Sequence, residues 1–181
     1  MSKALIIVDV QNDYFANGAM ELVGPLPASE NVKLVLAKFR EENLPIVHVH
    51  HLGVSPDATF FLPGTEGAEI HANVKPEAGE KTVQKYYPNS FRETDLLAHL
   101  QGLGVKDLVI TGMMTHMCID ATTRAARDLG FECTVIGDAC ATRDLEVNGA
   151  QVKAADVQTA FLAALSSFYA KVQDTTEYLA A

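Results

Sequence analysis

Two patterns alternate along the chain: short unbroken apolar runs, and stripes of apolar residues at helical spacing. Ala4 to Val10 is almost entirely Leu, Ile and Val, which predicts a parallel strand buried on both faces. Ser29 is a candidate N-cap for a helix carrying Val32, Val35, Leu36 and Phe39, and Asn43 with Pro45 closes it before a second strand, Ile46 to His50. The segment from His51 to Glu80 has no sustained period and is rich in Gly and Pro, so it reads as a long loop of the kind that usually carries function. Thr82 to Lys85 is a short extended segment, and Leu96, Leu97, Leu100 and Leu103 mark a helix closed by Gly104.

The pattern then repeats. Leu108 to Thr111 predicts a strand ending at Gly112, Thr115 an N-cap, and the following helix holds Cys118 and runs to Gly130. Glu132 to Ile136 is another strand, ending at Gly137-Asp138. A helix from about Asn148 carries Val152 to Phe168, and Lys171 to Gln173 forms a last short strand. Strand and helix in alternation imply an α/β fold, a three-layer Rossmann-like arrangement with a mostly parallel central sheet and helices on both faces. Residues 1–181 read as a single domain without linker or repeat.

Composition narrows the picture. With 48% hydrophobic and 20% charged residues the chain is ordinary globular material, and a net charge of −9 argues against non-specific nucleic-acid binding. Asp9 interrupts the N-terminal apolar run, and no stretch approaches the ~20 apolar residues that span a bilayer, so a cytoplasmic protein without membrane partners is expected. The three cysteines, Cys118, Cys133 and Cys140, include no CxxC pair, which predicts reduced thiols.

In folds of this kind ligands bind at the carboxyl ends of the strands. Asp9, Lys85 and Cys118 all fall there. A carboxylate could take a thiol proton and later deliver it to a leaving group, and an ammonium would favour the thiolate. At a helix start the dipole should also pull the Cys118 thiol below its usual value of about 8.5. Against this, a cysteine in a helix is commonly a small buried hydrophobe, an aspartate at a strand end commonly caps a turn, and a lysine is commonly surface charge. Their joint placement is what points to chemistry. Cys133 and Cys140 read as buried thiols, and Asp138 as a structural hydrogen-bonding residue rather than a second base.

DVQNDYF, the lysine of VQKYYPNSF, and TGMMTHMCIDATTRAARDLGF resemble the isochorismatase-like cysteine hydrolases, which include nicotinamidases, other amidases and isochorismatase. The resemblance covers nearly the whole chain, and it implies Asp9, Lys85 and Cys118 as a catalytic triad. It also implies a cis peptide at Met113-Met114 that turns the Met114 and Cys118 N–H groups toward an oxyanion. Isochorismatases typically lack this cysteine, so its presence favours hydrolysis of a small amide through a thioester. Vinyl ether hydrolysis remains the alternative, and from a different class, a non-catalytic redox-sensing thiol protein. The absence of G-x-G-x-x-G after the first strand argues against a nucleotide-binding module.

Substrate contacts are expected from Gln11, Phe15, Tyr87 and His116, with Phe60, Phe61, Tyr86 and Met117 as further candidates for the walls. Gln11 shares a strand face with Asp9 and could orient it or a water. Nicotinamidases add a metal held by aspartate and histidines after the second strand. Here the segment is HVHHLG without the Asp-x-His spacing, so neither metal nor other cofactor is expected, and His48, His50, His51 and His71 read as core or substrate-facing. The resemblance further implies a homo-oligomer, dimer or tetramer.

Overall fold

A computed structural model describes residues 2–181. Its frame is a six-stranded parallel sheet in the order β3-β2-β1-β4-β5-β8, built from β1 (Lys3–Val8), β2 (Ile46–His51), β3 (Lys81–Lys85), β4 (Asp107–Met113), β5 (Glu132–Ala141) and β8 (Lys171–Gln173). Helices α1 (Pro25–Glu41) and α5 (Thr175–Leu179) cover one face, and α2 (Leu96–Gly102), α3 (Asp120–Asp128) and α4 (Ala154–Ser166) the other. The alternating side chains of β1 explain the two layers. Leu5 and Ile7 pack with Val32, Leu36 and Phe39 of α1, while Ala4, Ile6 and Val8 pack with Leu96, Leu100 and Ile119.

Several element boundaries differ from the sequence reading, each for a local reason. The first strand stops at Val8, because Asp9 adopts a positive φ of 51°. Helix α1 begins at Pro25, not at Ser29: Gly24 is the left-handed cap, prolines occupy the first turn, and the buried Ser29 hydroxyl donates to the Leu26 carbonyl. The fifth strand continues past Gly137 to Ala141 through an irregularity in its pairing with β4. Residues Leu145–Val147 and Ala150–Val152 form an antiparallel hairpin, β6 and β7, so α4 starts only at Ala154. The long loop contains short 3-10 turns at Glu66–Ala68 and Ala72–Val74.

The chain passes from β1 outward through β2 to β3, then returns to β4 on the other side of β1. The carboxyl ends of β1 and β4 are therefore the point where the winding reverses, which leaves a crevice there. Gly112 makes their approach possible. Paired with Val8, it has φ +122°, and a Cβ on it would lie 1.9 Å from the Val8 carbonyl oxygen.

Candidate active site

Asp9 follows β1 at this crevice, Lys85 ends β3, and Cys118 lies in the turn after β4. All three are nearly or fully sealed: Asp9 and Lys85 are 0% exposed and Cys118 is 5% exposed. The Lys85 ammonium joins them, with Nζ 2.7 Å from Asp9 Oδ2 and 3.2 Å from Cys118 Sγ. The Lys85–Asp9 approach is a charge contact whose angles miss hydrogen-bonding geometry, so both Asp9 oxygens are buried without an aligned donor. A carboxylate in that condition is an open acceptor for a proton or an N–H.

The local backbone at Cys118 differs from the expected helix start. Thr115–Ile119 is a single π-helical turn preceding α3, and the Thr115 side chain does not cap it. Its hydroxyl donates instead to the Ala141 carbonyl at 3.2 Å and meets Gln158 Oε1 at 2.6 Å. The Met113-Met114 peptide is cis. The Met114 carbonyl accepts from the N–H groups of Met117 and Ile119 at 3.0 and 3.2 Å, leaving Cys118 between them outside that pair.

The expectation of an acidified thiol is overturned by burial. Desolvation and the neighbouring Asp9 push the Cys118 thiol well up, and Lys85 only partly offsets them. Lys85 moves the other way: burial disfavours its charge, but Asp9 and Cys118 outweigh that and raise its pKa, so it stays an ammonium. Burial raises Tyr14 well above its ordinary value, with Cys118 and Asp9 adding to the effect. Cys133 and Cys140 are buried free thiols, both pushed up to about 12 chiefly by desolvation.

The other expected contacts divide. Gln11 has no free amide end for a substrate. Its Nε2 donates to the His51 and Ala68 carbonyls at 2.9 and 2.7 Å, and its Oε1 accepts from His51 N–H at 2.7 Å, tying the long loop to the end of β2. Phe15 stacks on His71 at 3.7 Å, away from the thiol's contacts. His116 is bound to Thr142 Oγ1 at 2.6 Å and lies edge-on to Phe161. Tyr87 does line a cleft of about 370 Å³, together with His51, Phe60 and Tyr86. Asp13 organises the same loop, accepting from Phe61 N–H at 2.6 Å and Ala19 N–H at 3.1 Å.

The histidines do not converge on a metal. His48 Nε2 meets Glu80 Oε2 at 2.7 Å, and His71 Nδ1 accepts from Asn73 N–H at 3.3 Å as a turn cap. Ligand-type atoms of Asp9, His51 and Cys118 lie within 4.8 Å of one another. Lys85 Nζ contacts all three, including His51 Nδ1 at 3.0 Å, so a second cation would have to displace the ammonium. The residues present do not fit a metal there.

The Isochorismatase domain profile matches residues 3–177. The chain belongs to the isochorismatase family. It is 48% identical over 179 residues to the uncharacterized isochorismatase family protein YddQ of Bacillus subtilis, covering 99% of both chains. The crystal structure of a protein from Oleispira antarctica, described as an isochorismatase hydrolase, superposes with a TM-score of 0.96 at 51% identity, covering 99% of this chain and 97% of that one. Streptothricin hydrolase of Streptomyces noursei is 33% identical over 165 residues, 91% of this chain and 56% of the relative. This family member is accordingly a hydrolase, with amidases among its homologues. No helix among the described residues is long and apolar enough to cross a membrane.

Proposed function

We propose that this hydrolase cleaves the C–N bond of a small amide through a thioester on Cys118, with Asp9 as proton carrier and Lys85 as fixed positive charge. The observation that carries the reading is the Lys85 ammonium, 2.7 Å from Asp9 and 3.2 Å from Cys118, beside a carboxylate with no aligned donor. The raised thiol pKa means that the sulfur rests as a thiol. Proton transfer from sulfur to Asp9 therefore accompanies attack, and Lys85 stabilises the sulfur's charge as it develops.

In the first half-reaction the Cys118 sulfur bonds to the amide carbon as its proton passes to Asp9, and the carbonyl electron pair moves onto oxygen. The Met114 and Cys118 N–H groups are the donors assigned to that oxyanion. Collapse breaks the C–N bond, and the amine leaves with the Asp9 proton. Water then loses a proton to Asp9 as it attacks the thioester, and the sulfur recovers that proton as the acid departs. Streptothricin hydrolase and nicotinamidase among the homologues support amide chemistry. The redox-sensor reading is disfavoured by a thiol both buried and held protonated.

The test is a panel of primary amides, N-substituted amides and vinyl ethers assayed with wild type and Cys118→Ala. Amide turnover by wild type alone is expected. Turnover that survives the substitution, or confined to vinyl ethers, overturns the reading.

A further inference from the structure

His51 lies directly across from Lys85 in the β2–β3 register, so their side chains emerge on the same face of the sheet. An ammonium can only donate, and Lys85 Nζ has the Asp9 carboxylate beside it as a charge contact at 2.7 Å and two hydrogen-bonded acceptors, His51 Nδ1 at 3.0 Å and Cys118 Sγ at 3.2 Å. With Lys85 fully buried, no other source of acceptors is at hand. Since the ammonium can only donate, Nδ1 must carry a lone pair, which places the imidazole proton on Nε2. That nitrogen has no hydrogen-bond partner among the described residues, and it is not one of the ring nitrogens sealed from solvent as His48 Nδ1 and His50 Nδ1 are. The ring also lines the cleft shared with Tyr86, Tyr87 and Phe60.

We propose that His51 works in the site at both ends of its ring. Nδ1 holds the Lys85 ammonium in register with Asp9 and Cys118, and Nε2–H is a directed donor to a neutral acceptor on the substrate part seated in the cleft. The cleft walls include no Asp, Glu, Lys or Arg, and three of their residues are aromatic, so the group they take is uncharged and largely apolar, with one carbonyl or ring-nitrogen acceptor. Burial and the adjacent Lys85 both keep His51 below its ordinary pKa, consistent with a neutral ring. Asp9 opposes this and His50 reinforces it.

The proposal rests on Cys118 being the nucleophile, but it can be tested without any amide being hydrolysed, through alkylation of the sulfur. Alkylation of Cys118 by iodoacetamide, followed by peptide mapping, reads how well Lys85 supports the sulfur. Losing one charge-assisted hydrogen bond should slow this about ten-fold in His51→Leu, with most of the rate recovered in His51→Asn, whose amide oxygen can accept from Lys85. Two aryl chloroacetamides, one with a para-acetyl acceptor and one without, read the other end of the ring. Wild type should saturate at about ten-fold lower concentration of the acceptor-bearing reagent, and His51→Asn should lose the distinction. Nitrogen-15 NMR of the wild type should find the lone pair on Nδ1. Leu and Asn variants that melt like wild type and alkylate at equal rates would overturn the lock, and a preference for the acetyl reagent that survives in His51→Asn would overturn the donor. If no amide is turned over while these results hold, the reaction class falls and the role of His51 stands.

Discussion

Two ionic clusters are anchored in the neighbouring strands β2 and β3 and their flanks, and they are satisfied to opposite degrees. In one, Glu80 receives Arg40 Nε at 2.7 Å and the Arg40 Nη2 at 3.0 Å on separate oxygens, with Glu77 N–H at 2.8 Å and His48 at 2.7 Å completing its shell. Burial works against the carboxylate, but those partners outweigh it and hold Glu80 at about 2. In the other, Asp9 faces Lys85 at 2.7 Å and has no aligned donor on either oxygen. The first cluster has both oxygens of its carboxylate hydrogen-bonded, with only His48 Nδ1 left without a partner, and it fastens α1 to the sheet. The second keeps its acceptor open and its thiol protonated, which stores the capacity to move a proton. Burial alone does not separate scaffold from chemistry; whether the buried carboxylate is hydrogen-bonded does.

Asp9→Asn should discriminate between the clusters most strongly. The amide keeps the shape but cannot take the thiol proton, so hydrolysis should fall on the order of 10⁴-fold while circular dichroism stays native. Next, Lys85→Met leaves a buried carboxylate without its countercharge and should cost about 3–5 kcal/mol in denaturant unfolding. Adding Asp9→Asn to it should recover most of that loss without restoring turnover. A double variant no more stable than the single one would mean that Asp9 is stabilised by contacts other than Lys85.

Glu80 makes the converse case. Its folded pKa lies below the unfolded one, so its stabilising contribution is complete above about 4.5 and disappears as pH falls toward about 2. The shift corresponds to about 3 kcal/mol. Urea unfolding across that window should show the loss in wild type and a flatter profile in Glu80→Gln, whose turnover at neutral pH should remain near wild type. The smallest effect is expected at Asp138, a third carboxylate, on β5. Its Oδ1 accepts from Thr175 N–H at 2.8 Å and Thr175 Oγ1 at 2.7 Å, and Asp138→Ala should cost about 1–2 kcal/mol without changing turnover.

What was legible in the chain follows its physics. The β-branched runs of β1, β2 and β4 announce a doubly covered parallel sheet, and residues at strand ends bring Asp9, Lys85 and Cys118 to one crevice. The π turn at Thr115–Ile119 was not legible, and the Thr115 hydroxyl read as its cap is engaged instead by Ala141 and Gln158 from distant elements. The elevation of the Cys118 thiol was also missed: helix-terminus reasoning counts backbone dipoles, whereas the thiol is governed by desolvation and Asp9. Gln11 was read as sharing a strand face with Asp9 and reaching a substrate, but β1 stops at Val8 and the Gln11 amide is taken up by the His51 carbonyl at the end of β2 and the Ala68 carbonyl of a loop of unforeseen course. His51 had one available signal. It sits directly opposite Lys85 once the parallel register is known, and register is a tertiary fact.

The central claim is that the unsatisfied cluster performs covalent catalysis at Cys118. Rapid acid quench of wild type during turnover of an amide, followed by peptide-mapped mass spectrometry, tests it directly. The account predicts a hydroxylamine-sensitive acyl adduct on Cys118 and none on Cys133 or Cys140. Turnover with no adduct under conditions that slow thioester hydrolysis, or an adduct on either of the other cysteines, would contradict it.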